Sequence, residues 1–288
     1  MNLFLDNLVK EIQLNDSVYA LALPHIKSGR ARILADKILS KGCYFCSAEY
    51  NKSPKEYAPL LLAASLILAQ RVYEKYREKN IPDEIFYDTM SDITVWVNTL
   101  KREENVDGLK NIGWLYNHFK FELFKVGRMQ YQFFKTNYLV SGVPFFKLSQ
   151  MTVKNHRPVL NIHIPEGEPL ELYKCKGSIN TAKEFFGKYF PEYKFDGFVC
   201  ESWLLDPNNA LFMDKSKNIV KFSELFDTVV RTKHNNFEIV KRLWGKDIKS
   251  VEDITDFPET TDLQRRTKAY ILSGGKTGIG YGTISLFK

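Results

Sequence analysis

The chain has 288 residues, 44% hydrophobic and 26% charged, with a net charge of +7 and a pI near 9.0. These values exclude a disordered or collagen-like chain and fit one large or two medium globular domains. No apolar run approaches the roughly 18 residues that a spanning helix needs, and the basic charge is interleaved with acids instead of gathered in a Lys/Arg block. No membrane partner is therefore expected, and nucleic acid is not expected either.

Residues 1–122 read as helical. Leu3, Leu5, Leu8, Val9 and Ile12 recur near helical spacing, as do Ala31, Leu34, Ala35, Ile38 and Leu39 before Gly42. The first residues are amphipathic and carry acids, unlike a signal peptide. With only four cysteines, this predicts a cytoplasmic, reducing location and free thiols. Cys43 and Cys46 form a lone CxxC that no second pair completes to four zinc ligands, so they read as core thiols and no metal is expected. Ser53-Pro54 reads as a cap and first-turn proline opening the strongest helix, Pro54 to about Lys79. Pro59 is tolerable only near that helix's start. Further helices are predicted from Asp83 to about Lys101 and from about Val106, the last carrying Trp114 and His118.

After Phe124 the texture changes. Arg128–Tyr138 alternates aromatic and polar residues, as a strand does. Residues 139–156 read as a linker or hairpin. Then come a strand over 159–164, a helix from Ser178 to about Tyr189, a strand over 195–203 and a short helix after Asp206-Pro207. A strand over 226–232 and a helix over 237–244 follow. Thr260-Thr261-Asp262 caps a helix to about Leu272, and a strand over 280–287 ends the chain. GGKTGIGYG at 274–282 lacks GxxxxGKS/T spacing and precedes a strand, so it reads as a hairpin or bulge and not as a phosphate loop. The expected fold class is α+β: a helical N-terminal domain over 1–122 and a mixed α/β domain over 123–288.

Six strings carry a resemblance: LFKVGRMQYQ (123–132), LNIHIPEGEPL (160–170), SINTAKEFFGKYFP (178–191), VCESWLLDP (199–207), SKNIVKF (216–222) and TTDLQRRTKAYILSGG (260–275). The chain resembles a bacterial family of acyltransferase-domain proteins, in which a helical N-terminal domain joins a GNAT-like C-terminal domain. That resemblance implies transfer of an acyl group from acetyl-CoA or another acyl-CoA to an amine acceptor. It also implies a thioester lying where two central strands splay, with the helical domain shaping the acceptor pocket. The chain departs from standard GNAT enzymes at the Gln/Arg-x-x-Gly-x-Gly/Ala loop. Here the corresponding stretch, IPEGEPLELYKCKGS, is longer, acidic, and offers only Gly167 and Gly177. The alternative is a non-catalytic GNAT-shaped module that binds a ligand or partner.

The candidate site residues follow. Ser178 could cap a helix whose first N–H groups, around Ile179 and Asn180, would meet a pyrophosphate beside Gly167, Lys176 and Gly177; an ordinary capped helix with solvated lysines reads equally from the same residues. His163 ends a strand, and an imidazole titrates near neutrality, so His163 or Glu166 is a candidate proton acceptor; a structural histidine is the other reading. Cys200 beside His163 would suit a thiol nucleophile, even a cysteine hydrolase, or it is a small buried hydrophobe. Glu201 and Ser202 would line the acceptor site. Arg128 would bind a carboxylate or phosphate, or pair with Glu122 or Glu201.

Overall fold

The structure, a computed structural model, describes residues 3–110, 112–245 and 247–287. It divides into two compact units, Met1–Gln132 with Ile164–Glu168 and Glu184–Tyr189, and Phe133–His163 with Pro169–Lys183 and Phe190–Lys288.

The first unit is built on helices α1 (Leu3–Glu11), α2 (Asp16–Lys27), α3 (Arg30–Lys41), α4 (Phe45–Lys52), α5 (Pro54–Glu78), α6 (Asp83–Met90), α7 (Asp92–Glu104) and α8 (Ile112–Phe119). Every residue of α5 from Ala58 to Ala69 is buried. A helix that is apolar all round must be covered on every side, and α1–α4, α6 and α8 all pack on it. Each of its buried Leu and Ile side chains contributes about 1.5–3 kcal/mol. Pro54 occupies the first helical position, where its missing N–H costs nothing. Gly108 closes the following loop onto this helix: at φ +127° it lies so near Ala58 that a Cβ would sit 2.4 Å from the Ala58 carbonyl carbon. The single helix expected over 83–101 is two, broken at Ser91, and the helix expected from Val106 begins at Ile112.

Strands β1 (Leu123–Val126) and β2 (Met129–Lys135) form an antiparallel hairpin with Val126 opposite Met129. Gly127, at φ +66°, and Arg128 make its two-residue turn. The first of these strands had no counterpart in the sequence expectation. The remaining strands are β3 (Pro158–His163), β4 (Gly197–Ser202), β5 (Thr228–His234) and β6 (Gly278–Ser285), and the sheet order is β1-β2-β3-β4-β6-β5. Helices α9 (Leu172–Tyr189), α10 (Asn209–Phe212), α11 (Asn218–Phe222), α12 (Asn236–Trp244) and α13 (Asp262–Leu272) complete the chain. The α13 cap is a full capping box, with Thr261 and Gln264 answering each other across the first turn.

The glycine-rich stretch at 274–282 closes the end of α13 through Gly274 and Gly275 and enters strand β6 at Gly278. A Cβ at Gly280 would lie 2.0 Å from the Leu205 carbonyl oxygen. Glycine is required there by close backbone approach. The irregularity expected in this region lies on the neighbouring strand, as a register shift between Arg231 and Lys233.

Candidate functional site

The two central parallel strands meet at one end and part at the other. Asp196 N–H bonds the Pro158 carbonyl at 2.9 Å, and Leu160 pairs Phe198 and Asn161 pairs Val199. Beyond these rungs β3 runs on through Ile162 and His163 and β4 through Cys200, Glu201 and Ser202, but no further pair joins them. The far edge of β4 keeps it extended there: all six of its residues pair with β6, from Gly197–Ser285 to Ser202–Gly280. β3 ends where Ile164-Pro165 follows, because proline lacks an N–H and holds its predecessor extended.

His163 therefore stands at the mouth of this wedge. It is half-buried, and its Nε2 lies 3.3 Å from the Asn161 amide nitrogen on the same strand face. Glu166 lies in the loop that follows. It is exposed and 3.9 Å from Arg102.

Cys200 departs from the sequence expectation. It is 1% exposed, and burial, then the neighbouring Glu201 charge, push its thiol far above the usual range. A nucleophile must be a reachable thiolate, so the catalytic role and the cysteine-hydrolase reading are withdrawn. Glu201 is exposed and lies 3.4 Å from Lys233. The Ser202 hydroxyl oxygen accepts the Leu204 N–H at 3.2 Å, capping a short turn over Trp203–Leu205.

The helix expected to start at Ser178 starts at Leu172, with the Cys175 N–H bonded to the Glu171 carbonyl. Ser178 is thus buried in the helix's second turn and caps nothing. Gly177 is also helical, and a Cβ there would meet nothing within 4 Å, so neither space nor a turn demands glycine. Gly167 sits at φ +95° in the loop before the helix. These placements correct the expected phosphate contacts of Gly177 and Ser178.

What the helix offers instead is its flank. A groove of about 890 Å³ runs between α9 and α11, lined by Lys176, Ile179, Asn180 and Lys183 on one side and Asn218 and Lys221 on the other. Three of the expected residues, Lys176, Ile179 and Asn180, are therefore together, though on a helix face. Ile284 also lines this groove and is the register partner of Phe198, the residue that pairs with Leu160 at the closed end of the wedge. Three carboxylates share the lining, but Glu171 is bonded to Lys174 and Asp227 accepts the Ser285 N–H at 2.8 Å. The third, Glu224, is exposed. Three lysines set against three carboxylates, one of them paired with Lys174, offer cations to phosphates, and Asn180 and Asn218 with Leu172, Tyr173, Ile179, Leu225 and Ile284 offer polar and apolar walls to a flat ring.

Arg128 does different work from that expected. It is buried, with Nη1 donating to the Pro165 carbonyl at 3.1 Å and Nη2 to the Glu168 carbonyl at 2.6 Å. Glu122 pairs with Lys120 and Glu201 with Lys233, so neither of the expected partners is the one used. Arg128 holds the loop that leaves β3, and Lys125 binds the same loop at Glu168, 3.1 Å away.

Two residues further along β2, Gln130 enters a network that the sequence did not announce. The Asp92 Oδ2 accepts hydrogen bonds from Trp114 Nε1 at 2.8 Å and Gln130 Nε2 at 2.7 Å, and lies 3.1 Å from His118 Nε2. Burial raises the Asp92 pKa, but the His118, Trp114 and Gln130 contacts outweigh it and hold the carboxyl below its ordinary range. The only trace in the sequence is the four-residue spacing of Trp114 and His118, which puts both on one face of α8.

Among the described residues no group of three His, Cys, Asp or Glu side chains is placed to hold a metal, and no helix is long and apolar enough to cross a membrane. Cys46 is buried, which pushes its thiol up to about 11.

A family model described as a GNAT-like C-terminal domain matches residues 123–284, and one described as an N-acyltransferase N-terminal domain matches residues 10–121. No curated protein matches. Similar solved structures include an acyltransferase in complex with decanoyl-CoA and teicoplanin, 18% identical over 98% of this chain and 87% of the other, TM-score 0.74. An acyltransferase with CoA and 10C-teicoplanin is 21% identical over 82% and 69%, TM-score 0.67. An acyltransferase mutant with octanoyl-CoA is 21% identical over the same shares, TM-score 0.66. At these identities the likeness shows the fold.

Proposed function

We propose that this chain, which belongs to the family defined by the GNAT-like C-terminal domain, transfers an acyl group from an acyl-CoA to an amine. The observation that carries this reading is the wedge: β3 and β4 stay extended but stop pairing after Asn161 and Val199. A pantetheine arm is narrow and extended and needs such a gap to reach into a sheet.

The lysine-lined groove supports the same reading. Lys176, Lys183 and Lys221 would hold the phosphates, and Asn180 and Asn218 would bond polar edges of the nucleotide. They replace the glycine loop of standard GNAT enzymes, so the missing motif does not by itself argue against an acyl-CoA site. The acyltransferases of similar fold were crystallised with CoA, octanoyl-CoA and decanoyl-CoA, which makes a medium-chain acyl donor the first to test.

In the reaction the amine nitrogen attacks the thioester carbonyl carbon, and a backbone N–H at the open strand edge steadies the developing oxyanion. The nitrogen loses its proton to His163, the C–S bond breaks, and the CoA thiolate leaves and is protonated. Glu166, exposed and beside Arg102, is the second candidate for the proton. We assign the transfer to residues 123–288 and acceptor selection to residues 1–122. A cytoplasmic location fits an acyl-CoA donor and four cysteines that form no disulfide.

Calorimetric titration with octanoyl-CoA and acetyl-CoA, followed by release of free CoA thiol with a panel of amines, tests the proposal. Binding with amine-dependent release is expected, and Lys176→Gln with Lys221→Gln should weaken binding roughly tenfold. Binding without release for any amine would favour the non-catalytic module, and no binding at millimolar donor would reject the acyl-CoA site.

A further inference from the structure

Residues 139–146 form an apolar tip in the second unit. Leu139 is 87% exposed, Val140 75%, Phe145 88% and Phe146 75%. Isolated exposed hydrophobes are ordinary, but four large ones within eight residues are not.

The tip is not a loose loop. Beneath it Tyr138, Val143 and Val153 are buried in one cluster with Val159, Val199, Val230 and Tyr281. The Tyr138 hydroxyl donates to the Val153 carbonyl, and the Tyr138 N–H to Asn155 Oδ1 at 3.0 Å. The turn closes on itself through Gly142 N–H to the Leu139 carbonyl at 3.1 Å and Val143 N–H to the Tyr138 carbonyl at 2.9 Å. Gly142, at φ +73°, takes the left-handed position of that turn. The fold therefore uses buried, hydrogen-bonded residues to hold apolar ones outward.

The segment that carries the tip has charge of one sign along its sequence. No Asp or Glu occurs between Glu122 and Glu166, while Lys135, Lys147, Lys154 and Arg157 all fall there. Arg157 is bonded to Asp196 at 2.6 Å. Lys147 lies 6.0 Å from the Phe146 ring, and no carboxylate pairs with Lys135, Lys147 or Lys154 among the described residues.

We propose that this tip docks on an anionic lipid surface, with Leu139, Val140, Phe145 and Phe146 entering the acyl boundary and the lysines meeting the headgroups. A second copy of the chain would bring the same lysines face to face, so charge disfavours self-association. Large apolar side chains this exposed need a partner that yields around them, as an acyl layer does. Basic residues within a Debye length of an anionic surface add to the attraction. A surface contact needs no spanning helix. The lack of a spanning helix among the described residues is compatible with it. The inference stands independently of the transferase reading.

Vesicle flotation tests it. The full-length protein should float with phosphatidylcholine–phosphatidylglycerol vesicles, should stay in the buffer with phosphatidylcholine alone, and should dissociate as salt rises. Phe145→Ser with Phe146→Ser, both on the surface, should lower the bound-to-free ratio roughly tenfold or more with an unchanged melting temperature. Leu139→Ser with Val140→Ser is a second pair should the first misfold. The proposal fails if the wild type does not float with anionic vesicles. It also fails if a folded double variant floats as well as wild type, or if light scattering shows a dimer that the double substitution dissolves.

Discussion

Strand β4 has two unlike edges. Toward β6 each of its residues from Gly197 to Ser202 is paired, whereas toward β3 only Phe198 and Val199 are. The sequence of β4 is the same for both edges, so the opening is not a weakness of β4. Its antiparallel neighbour supplies the pairing that keeps it extended, and the parallel neighbour is freed to diverge. A sheet can expose unpaired backbone in its middle only if the other edge is bound, because each buried backbone group left without a partner costs about 1–3 kcal/mol. The closed edge is thus the condition for the open one, and substitutions on the two edges should fail in different ways.

The largest expected effect is on the open edge. His163→Ala should lower turnover about 10²–10⁴-fold with octanoyl-CoA and an accepted amine. The midpoint of denaturant unfolding should hardly move, since His163 is only half-buried. Glu166→Gln should keep turnover within roughly a few-fold of wild type, since Glu166 is exposed in the loop beyond the strand. A His163→Ala enzyme with unchanged turnover would remove the proton acceptor from the wedge.

The difference between the edges also explains what could be read in advance. The strand over 159–164 and the capped helix after Thr261 were legible, because each is written in neighbouring residues: alternation with a following proline, and a threonine cap. The splay was implied by the family resemblance alone. The start of α9 was misread for a local reason. Ser178 after Gly177 resembles a cap, yet Leu172, Cys175, Ile179, Ala182 and Phe186 keep a helical apolar stripe running through both. The tertiary demand for that stripe overrode the roughly 1 kcal/mol that an interior glycine costs. The Asp92 network was not legible at all. Its donors lie 22, 26 and 38 residues away in sequence, and only the fold brings Trp114, His118 and Gln130 to one carboxylate oxygen. Arg128 was visible as a candidate, but the acceptors it uses in the loop after β3 are the Pro165 and Glu168 carbonyls, and a backbone acceptor leaves no mark in the sequence.

On the closed edge the next effect should be one of stability. Gly280→Ala would bring a methyl group to 2.0 Å from the Leu205 carbonyl oxygen. Backbone cannot step aside as a flexible side chain can, so a loss of about 3 kcal/mol is expected in a denaturant titration. What folded enzyme remains should turn over normally. A Gly280→Ala protein with wild-type stability would mean that this edge tolerates movement, and that the contrast between the two edges is weaker than the register implies.

The smallest effect should fall on the residue that faces neither task. Cys200 belongs to β4 just past its last rung with β3, where a nucleophile would have to stand, yet it is 1% exposed and paired through its backbone with Gly282. Burial holds the thiol protonated, so it behaves as a small apolar side chain. Cys200→Ala removes one buried sulfur and should cost about 1 kcal/mol of stability, with turnover within about twofold of wild type, since no covalent step is asked of it. Iodoacetamide at mild pH should leave Cys200 in the folded wild type unmodified. A large loss of turnover in a stable Cys200→Ala protein, or rapid labelling of this thiol, would mean that the strand opens further than its pairing with β6 allows.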